Sequence, residues 1–198
     1  IGLGVALCLA RQGANVILNG FGEFEPAKAE VAALGVKAGY HGADMSKPAE
    51  IEAMMAYALA EFGGVDILVN NAGIQHVETI EAFPEDVWDK MQAVMLTAPF
   101  LLTQATAKWW VSGGRDKAPT DARAKVINIA SIDGIFVNPG ETYSYGASKA
   151  AVIHLTRRMA TKLIKDNINV TAIAPGAFAS DMNRAARDQS DELARRIP

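Results

Sequence analysis

Three residues in the second half of the chain have the types and the spacing that proton transfer requires. Ser131 follows a run of apolar, β-branched residues, and Tyr145 and Lys149 come later, four positions apart. If this stretch is helical, that spacing places the phenol and the ammonium on one face of the helix. A neighbouring ammonium stabilises a phenolate. The pair therefore predicts a tyrosine that exchanges a proton, with a serine hydroxyl to hold the substrate oxygen.

The elements that must position these residues follow from the hydrophobic pattern. Short β-branched segments alternate with longer amphipathic ones, which predicts an α/β fold with a doubly wound parallel sheet covered by helices on both faces. Ligands of such sheets bind beyond the carboxyl ends of the strands, where Ser131 lies. We expect one domain over 1–198, with strands at 15–18, 36–40, 66–69, 125–130 and 169–174, and helices at 3–12, 25–34, 48–62, 85–111 and 144–165.

Composition excludes several kinds of partner. The formal net charge of −3 gives no basic stripe for nucleic acid. No apolar stretch approaches the roughly 20 residues that span a membrane. The one cysteine, Cys8, lies in an apolar helical run, which predicts that it is a core residue. Because a single cysteine cannot form an internal disulfide, we expect the protein in the reducing cytoplasm. The three histidines are far apart in sequence, so we expect no metal site.

Four motifs occur in one order along the chain: Asn70-Asn71-Ala72-Gly73, Ser131, Tyr145-x-x-x-Lys149 and Pro175-Gly176. In order and spacing they resemble the short-chain dehydrogenase/reductase family from end to end. The resemblance implies a Rossmann-like fold and an NAD(P)-dependent oxidoreductase that interconverts a secondary alcohol and a ketone. It also implies that Tyr145 is the acid/base, that Lys149 lowers its pKa and holds the nicotinamide ribose, and that Ser131 orients the substrate.

The resemblance further implies which residues hold the cofactor. Gly2 matches the last glycine of the phosphate-binding turn, and Asp44 matches the acidic residue that contacts adenine. No lysine or arginine follows the strand that ends at Leu18, which favours NAD over NADP. The other implied cofactor-binding residues are Asn19, Phe21, Asn71, Ala72, Gly73, Tyr145, Lys149, Pro175, Gly176 and Ser180.

The chain departs from the family pattern inside its long helix. Met95 stands where the family has an asparagine that holds a proton-relay water, and methionine cannot make that hydrogen bond. A catalytically weak or inactive binding module on the same fold is therefore the alternative to an active enzyme. Pro99 lacks a backbone donor and is expected to kink the same helix.

The ends of the chain also differ from the family pattern. The chain begins at about the last glycine of the phosphate-binding turn, and it stops at Pro198. We therefore expect a truncated chain whose sheet lacks the first and last strands of the family fold. Unpaired strand edges and a missing phosphate turn would make these residues alone bind NAD poorly.

Two residues are expected to border the substrate. Gln75 matches a residue that contacts the substrate carboxylate in the 3-hydroxybutyrate dehydrogenases of this family. The cationic carboxylate ligands of that group, however, fall here on Asp133 and on Glu141 or Thr142. Carboxylates repel one another. Residues 131–134 and 141–145 look instead like those of rhamnolipid-type 3-oxoacyl reductases, with sugar-acid and alcohol dehydrogenases also similar. We therefore expect a 3-hydroxy/3-oxo acyl or related small substrate in which any acid group is masked. The long helices resemble those that build homodimers and homotetramers in the family.

Overall fold

The computed structural model describes residues 1–114 and 123–176. Helices and strands alternate along the chain, as the hydrophobic pattern predicts. The strands are β1 (Val16–Leu18), β2 (Ala38–Tyr40), β3 (Ile67–Asn70), β4 (Ala124–Ile129) and β5 (Ile168–Ile173). The α-helices are α1 (Gly2–Arg11), α2 (Glu25–Ala32), α3 (Pro48–Phe62), α4 (Glu85–Gln92), α5 (Ala98–Trp109) and α6 (Tyr143–Leu163).

Every strand pairing in the described residues is parallel. β1 pairs with β2, and β3, β4 and β5 form a second sheet in that order. The predicted α/β fold with a parallel sheet is confirmed, with the hydrogen-bonded strands grouped in two parts. α6 packs on β4 and β5, and α5 contacts β3.

The cover over the three-stranded sheet is less even than the sequence suggests. Val126 is fully buried, whereas its neighbour Ile127 is only partly buried and Ile173 is 51% exposed. Ile127 pairs with Thr171, so Ile127 and Ile173 lie on the same face of the sheet. Within the described residues, the helices cover that face less completely than the face that carries Val126.

The long helix predicted over 85–111 is divided by a π-helical segment, Ala93–Thr97, between α4 and α5. Ala98 N–H donates to the carbonyl of Ala93, five residues earlier. A proline at position 99 has no N–H for the carbonyl of Met95, and the wider π turn directly before it shifts the hydrogen-bond register. The predicted irregularity is therefore a π turn, with Met95 buried inside it.

In the described part of the chain the core forms three apolar clusters, and the largest of them joins α3, α4, the π-helical segment and α5. The prediction that Cys8 is a core residue is wrong, because its side chain is exposed. Helix α1 buries Ala6 and Ala10, which are four residues apart and share one face. Cys8 lies midway between them in sequence and therefore points away from that face.

A buried polar chain connects the three-stranded sheet to α6. The Asn70 Nδ2 donates to Asn128 Oδ1 at 2.7 Å, and Asn128 Nδ2 donates to Thr156 Oγ1 at 2.8 Å. Thr156 in turn donates to the carbonyl of Val152 at 2.7 Å. Since all three polar side chains are buried, each depends on these partners for its hydrogen bonds.

Replacement of Thr156 by valine should destabilise the fold measurably. Thr156→Val keeps the side-chain shape but leaves the buried Asn128 Nδ2 without its acceptor, at an expected cost of about 1–3 kcal/mol in urea unfolding. Thr161→Val is the matched control, since Thr161 makes the same bond to a carbonyl four residues earlier but is exposed. We expect the control to change stability by no more than about 0.5 kcal/mol. Equal losses in the two variants would contradict this account.

Candidate active site

Ser131 is held at the carboxyl end of β4 by the neighbouring strand and by its own turn. It caps a short 3₁₀ turn, Ile132–Gly134, and its Oγ accepts a hydrogen bond from Asp133 N at 3.2 Å. On either side, Ala130 N donates to the carbonyl of Ile173 at 2.7 Å and Ile132 N donates to that of Pro175 at 3.0 Å. The Ser131 hydroxyl is therefore fixed at the strand end, where the sequence predicts a ligand site.

Tyr145 and Lys149 lie one turn apart near the start of α6, so the prediction of a shared helical face is confirmed. The Lys149 Nζ lies 5.5 Å from the centre of the Tyr145 ring. The same Nζ donates to the carbonyl of Ile129, the last residue of β4, at 2.7 Å. This bond ties the helix to the strand end that carries Ser131.

Burial acts strongly on the ammonium of Lys149. The residue is only 4% exposed, and desolvation lowers its pKa from 10.5 to about 8. A depressed lysine pKa means that the folded protein disfavours the charged form. The difference corresponds to about 3 kcal/mol of instability at neutral pH. Strongly shifted groups of this kind are typical of functional sites.

The phenol of Tyr145 responds to three influences. Burial raises its pKa, a side-chain hydrogen bond with Ser131 lowers it, and the negative charge of Asp133 raises it again. The net effect is a raised pKa, so the phenol holds its proton more firmly than free tyrosine does. In this form the site presents a proton donor next to a serine hydroxyl and a cation.

A glycine that the motifs left without a role allows the 3₁₀ turn to reach α6. A Cβ on Gly134 would lie 2.5 Å from the Lys149 carbonyl carbon and 2.6 Å from Ala150 N. Both are backbone atoms and cannot rotate away. Only glycine therefore lets the turn that carries Ser131 pack against the helix that carries Tyr145.

The carboxylate of Asp133, predicted to face the substrate, is engaged with the loop before α6. Its Oδ1 accepts from Asn138 Nδ2, and its Oδ2 accepts from the Thr142 hydroxyl at 2.9 Å. Asn138 also binds Gly140 N at 2.6 Å. Sequence reasoning missed Asn138, although its place before Pro139-Gly140 is a turn signal, and it named Thr142 only as a position where the family can have a carboxylate ligand. The predicted substrate residue Gln75 is exposed.

The start of α1 offers a cradle that fits the phosphates of a dinucleotide. The helix begins without a side-chain cap and has no acidic residue in its first turn, so its free N–H groups favour an anion. A Cβ on Gly2 would lie 2.6 Å from Asn71 Nδ2, so only glycine lets this amide approach the helix end. Two predicted cofactor residues from distant parts of the chain, Gly2 and Asn71, are thus brought together.

The other predicted cofactor residues lie at strand ends, and contacts fix several of them. Asn19 Nδ2 donates to the carbonyls of His41 and Ala43, both at 2.9 Å. Asp44 Oδ1 accepts from Ser46 N and Ser46 Oγ, and these hydrogen bonds lower the pKa of its carboxyl. Phe21 is 77% exposed. Ala72 and Gly73 follow β3, Pro175 and Gly176 follow β5, and Ser180 lies outside the described residues.

Fold and site together define an α/β protein with a serine, a tyrosine and a lysine gathered at the carboxyl end of a parallel sheet. The family model described as short chain dehydrogenase matches residues 1–191. The chain therefore belongs to the short-chain dehydrogenase family, as its motifs predict.

Individual relatives refine this placement. The chain is 46% identical over 178 residues to a D-beta-hydroxybutyrate dehydrogenase of Cupriavidus necator, which covers 89% of the chain and 66% of that enzyme. A gluconate 5-dehydrogenase from Burkholderia cenocepacia, solved with NADP and tartrate, matches with a TM-score of 0.84 at 31% identity, over 100% of this chain and 77% of its own. A 3-oxoacyl-[acyl-carrier protein] reductase from Brucella melitensis, solved with NAD, matches with a TM-score of 0.87 at 27% identity. The match covers 97% of this chain and 75% of the reductase.

These relatives agree with the resemblance to hydroxybutyrate dehydrogenases and 3-oxoacyl reductases, and none of them supports an inactive binding module. The chain spans slightly less than two thirds of the length of the hydroxybutyrate dehydrogenase. No helix in the described part of the chain is long and apolar enough to cross a membrane. In the same residues, no group of three or more His, Cys, Asp or Glu could hold a metal ion.

Replacement of Lys149 by methionine should have an effect on stability that depends on pH. Below about pH 8 the buried ammonium carries its full cost, which shrinks as pH rises towards 10.5. The stability of Lys149→Met relative to the parent protein should therefore fall by about 3 kcal/mol between pH 7 and pH 10.5, in urea unfolding. Lys162→Met, on an exposed part of the same helix, should show no such trend. A pH-independent difference for Lys149→Met would contradict the burial argument.

A side chain at Gly134 should separate Ser131 from Tyr145. We expect Gly134→Ala to lower kcat of the full-length protein by about 10- to 100-fold, since small misplacements of reacting groups have effects of this size. Cofactor affinity should change little. Gly4→Ala is the control, because no heavy atom lies within 4 Å of a Cβ there. The measurement is kcat from steady-state kinetics. Normal turnover of Gly134→Ala would show that the close packing of this turn on α6 is not needed to position Ser131 and Tyr145.

Proposed function

We propose that this protein is an NAD(P)-dependent oxidoreductase that interconverts a secondary alcohol and a ketone. The observation that carries the proposal is the grouping of Ser131, Tyr145 and Lys149 at the end of β4, within a chain of the short-chain dehydrogenase family. A bound nicotinamide dinucleotide would take up or deliver the hydride. The chain's own residues would supply everything else, in one dinucleotide-binding and catalytic domain.

Tyr145 is the proton carrier in this proposal. In ketone reduction its phenol donates a proton to the carbonyl oxygen, and in alcohol oxidation the phenolate takes the proton back. Ser131 donates a hydrogen bond to the same substrate oxygen. This role is supported by the position of its Oγ, which the hydrogen bond from Asp133 N fixes at the end of β4, within hydrogen-bonding reach of the Tyr145 phenol. Lys149 favours the phenolate through its charge and hydrogen-bonds the cofactor ribose.

The cofactor would lie across the carboxyl ends of the strands. Gly2 and Asn71 would hold its phosphates at the start of α1, with Ala72 and Gly73 along the adenosine and Pro175, Gly176 and Ser180 near the carboxamide. NAD is favoured over NADP, because residues 19–24 contain no cation for a 2′-phosphate. The Asn19 Nδ2 is used by two backbone carbonyls, which leaves its amide oxygen to accept a ribose hydroxyl. Asp44 and Phe21 would border the adenine.

The substrate proposed is a small 3-hydroxy/3-oxo acyl compound. The likeness to a D-beta-hydroxybutyrate dehydrogenase supports this carbon skeleton. The two cationic carboxylate ligands of that group fall here on Asp133 and on Glu141 or Thr142. The acidic side chains at these positions disfavour a free acid and favour an ester or thioester. Gln75 would contact the substrate. A homodimer or homotetramer in the cytoplasm completes the proposal.

Tyr145→Phe should abolish nearly all turnover while cofactor affinity stays close to normal. The phenyl ring keeps the packing against the core cluster around Met95, and only the proton carrier is lost. The measurement is the absorbance of reduced cofactor in a screen of the full-length protein with 3-hydroxyacids, acyl thioesters, polyols and steroids. Tyr143→Phe is the control, since that phenol is bonded to Glu141 on the surface. Substantial activity in Tyr145→Phe, or none in the parent protein on any substrate, would overturn the proposed function.

A further inference from the structure

The proposed function gives the Asp133 carboxylate no part in proton transfer. Its backbone N–H binds Ser131 Oγ, and both of its carboxylate oxygens are bonded to the loop that leads into α6. The carboxylate is thus held from two sides, by Asn138 and by the Thr142 hydroxyl. We call this set of bonds the Asp133 clamp. A carboxylate fixed in this way cannot turn freely towards a substrate.

The clamp places the carboxylate against the helix that carries the catalytic tyrosine. A Cβ on Gly146, the residue after Tyr145, would lie 3.6 Å from Asp133 Oδ2 and 3.5 Å from the Asp133 carbonyl oxygen. Thr142 is the residue directly before α6, and its carbonyl accepts from Gly146 N at 2.9 Å. The first turn of α6 is therefore built on the clamp.

The groups that face Tyr145 in the described residues are few. The 3₁₀ turn and the residue before it contribute the Asp133 carboxylate and the Ser131 hydroxyl, α6 contributes the Lys149 ammonium, and the side towards α4 and α5 is the apolar cluster that includes Met95. One fixed anion and one cation thus lie near the Tyr145 ring. Glu141, the other nearby acid, is bonded instead to the hydroxyl of Tyr143.

We propose that Asp133 is a positioning residue whose clamped carboxylate holds a negative charge beside the Ser131–Tyr145 pair, favours the protonated phenol and so suits the site to carbonyl reduction at neutral pH. The inference rests on the proposed function. An anion near a phenol disfavours the phenolate. Alcohol oxidation needs the phenolate and is therefore moved to higher pH, while reduction, which uses the phenol, proceeds over a wide range below it.

The test measures the ionisation of Tyr145 directly, without cofactor or turnover. Protein labelled with ¹³C at tyrosine Cζ is titrated by NMR, and Tyr145→Phe identifies the resonance. Asp133→Asn removes the charge; its amide oxygen can still accept from Asn138 Nδ2, and its amide nitrogen can donate to the Thr142 hydroxyl oxygen, which reverses that bond. We expect Asp133→Asn to lower the Tyr145 midpoint, because the negative charge that helps to raise the pKa of this phenol is then absent. An unchanged midpoint in a folded Asp133→Asn protein overturns the inference.

Two further variants keep the test decisive. Glu141→Gln removes a neighbouring charge. It should shift the titration of Tyr143, because the pKa of Tyr143 is raised chiefly by its hydrogen bond to Glu141. The titration of Tyr145 should stay unchanged. Asn138→Ala keeps the Asp133 charge but frees one carboxylate oxygen, so a smaller shift of Tyr145 in the same direction as in Asp133→Asn is expected. If Asp133→Asn does not fold, absence of that smaller shift overturns the inference.

The pH dependence of turnover separates this inference from the proposed function. In the full-length protein, Asp133→Asn should move the rising limb of alcohol oxidation to lower pH by the same amount as the NMR midpoint, with little change in KM. If Tyr145→Phe retains activity, the proposed function fails whatever the titration shows. If Tyr145 is essential for turnover but Asp133→Asn leaves its titration midpoint unchanged, only the present inference fails.

Discussion

The hydrogen bond from the buried Lys149 ammonium to the carbonyl of Ile129, at 2.7 Å, is the contact on which the rest of the site depends. It joins the first turns of α6 to the last residue of β4, and so it brings the tyrosine of the helix to the serine that follows the strand. Among residues 1–114 and 123–176 the cation has no carboxylate partner, and burial lowers the pKa of Lys149 to about 8. A fold under selection for stability alone would place an apolar residue there. Because the protein keeps a buried ammonium that destabilises the fold, we infer that this charge has a role in the site.

Close packing of the 3₁₀ turn against α6 and β5 also positions the site residues. Gly134 lets the 3₁₀ turn lie directly on the backbone of α6, and the carbonyls of Ile173 and Pro175 hold the same turn from the side of β5. The Asp133 clamp then joins the turn to the residue that precedes α6. Geometry and electrostatics come from the same few residues here, because the backbone that positions Ser131 also carries the anion that acts on Tyr145. A site built in this way is preorganised before any ligand arrives.

The parts of this arrangement that depend on periodicity and spacing could be predicted from sequence. The alternation of strands and helices predicts the parallel fold, and the four-residue spacing of Tyr145 and Lys149 predicts their shared face, since both follow from helix and strand geometry. Contacts between distant side chains do not follow from such patterns. The partners of Asp133 lie in a loop with no periodicity, so its hydrogen bonds with Asn138 and Thr142 could not be predicted from the sequence. The prediction that Cys8 is buried is wrong, because an apolar segment does not reveal which side of the helix is covered.

The measurement that tests this account most directly is the pKa of Lys149 itself. Protein labelled with ¹³C at lysine Cε can be titrated by NMR from pH 6 to pH 11, with Lys149→Met to identify the resonance. The account predicts one lysine resonance with a midpoint of about 8 that is absent from the variant. If the midpoint of Lys149 lies instead at the ordinary lysine value of 10.5, its ammonium is solvated rather than buried at the strand end, and the site described here does not exist in that form.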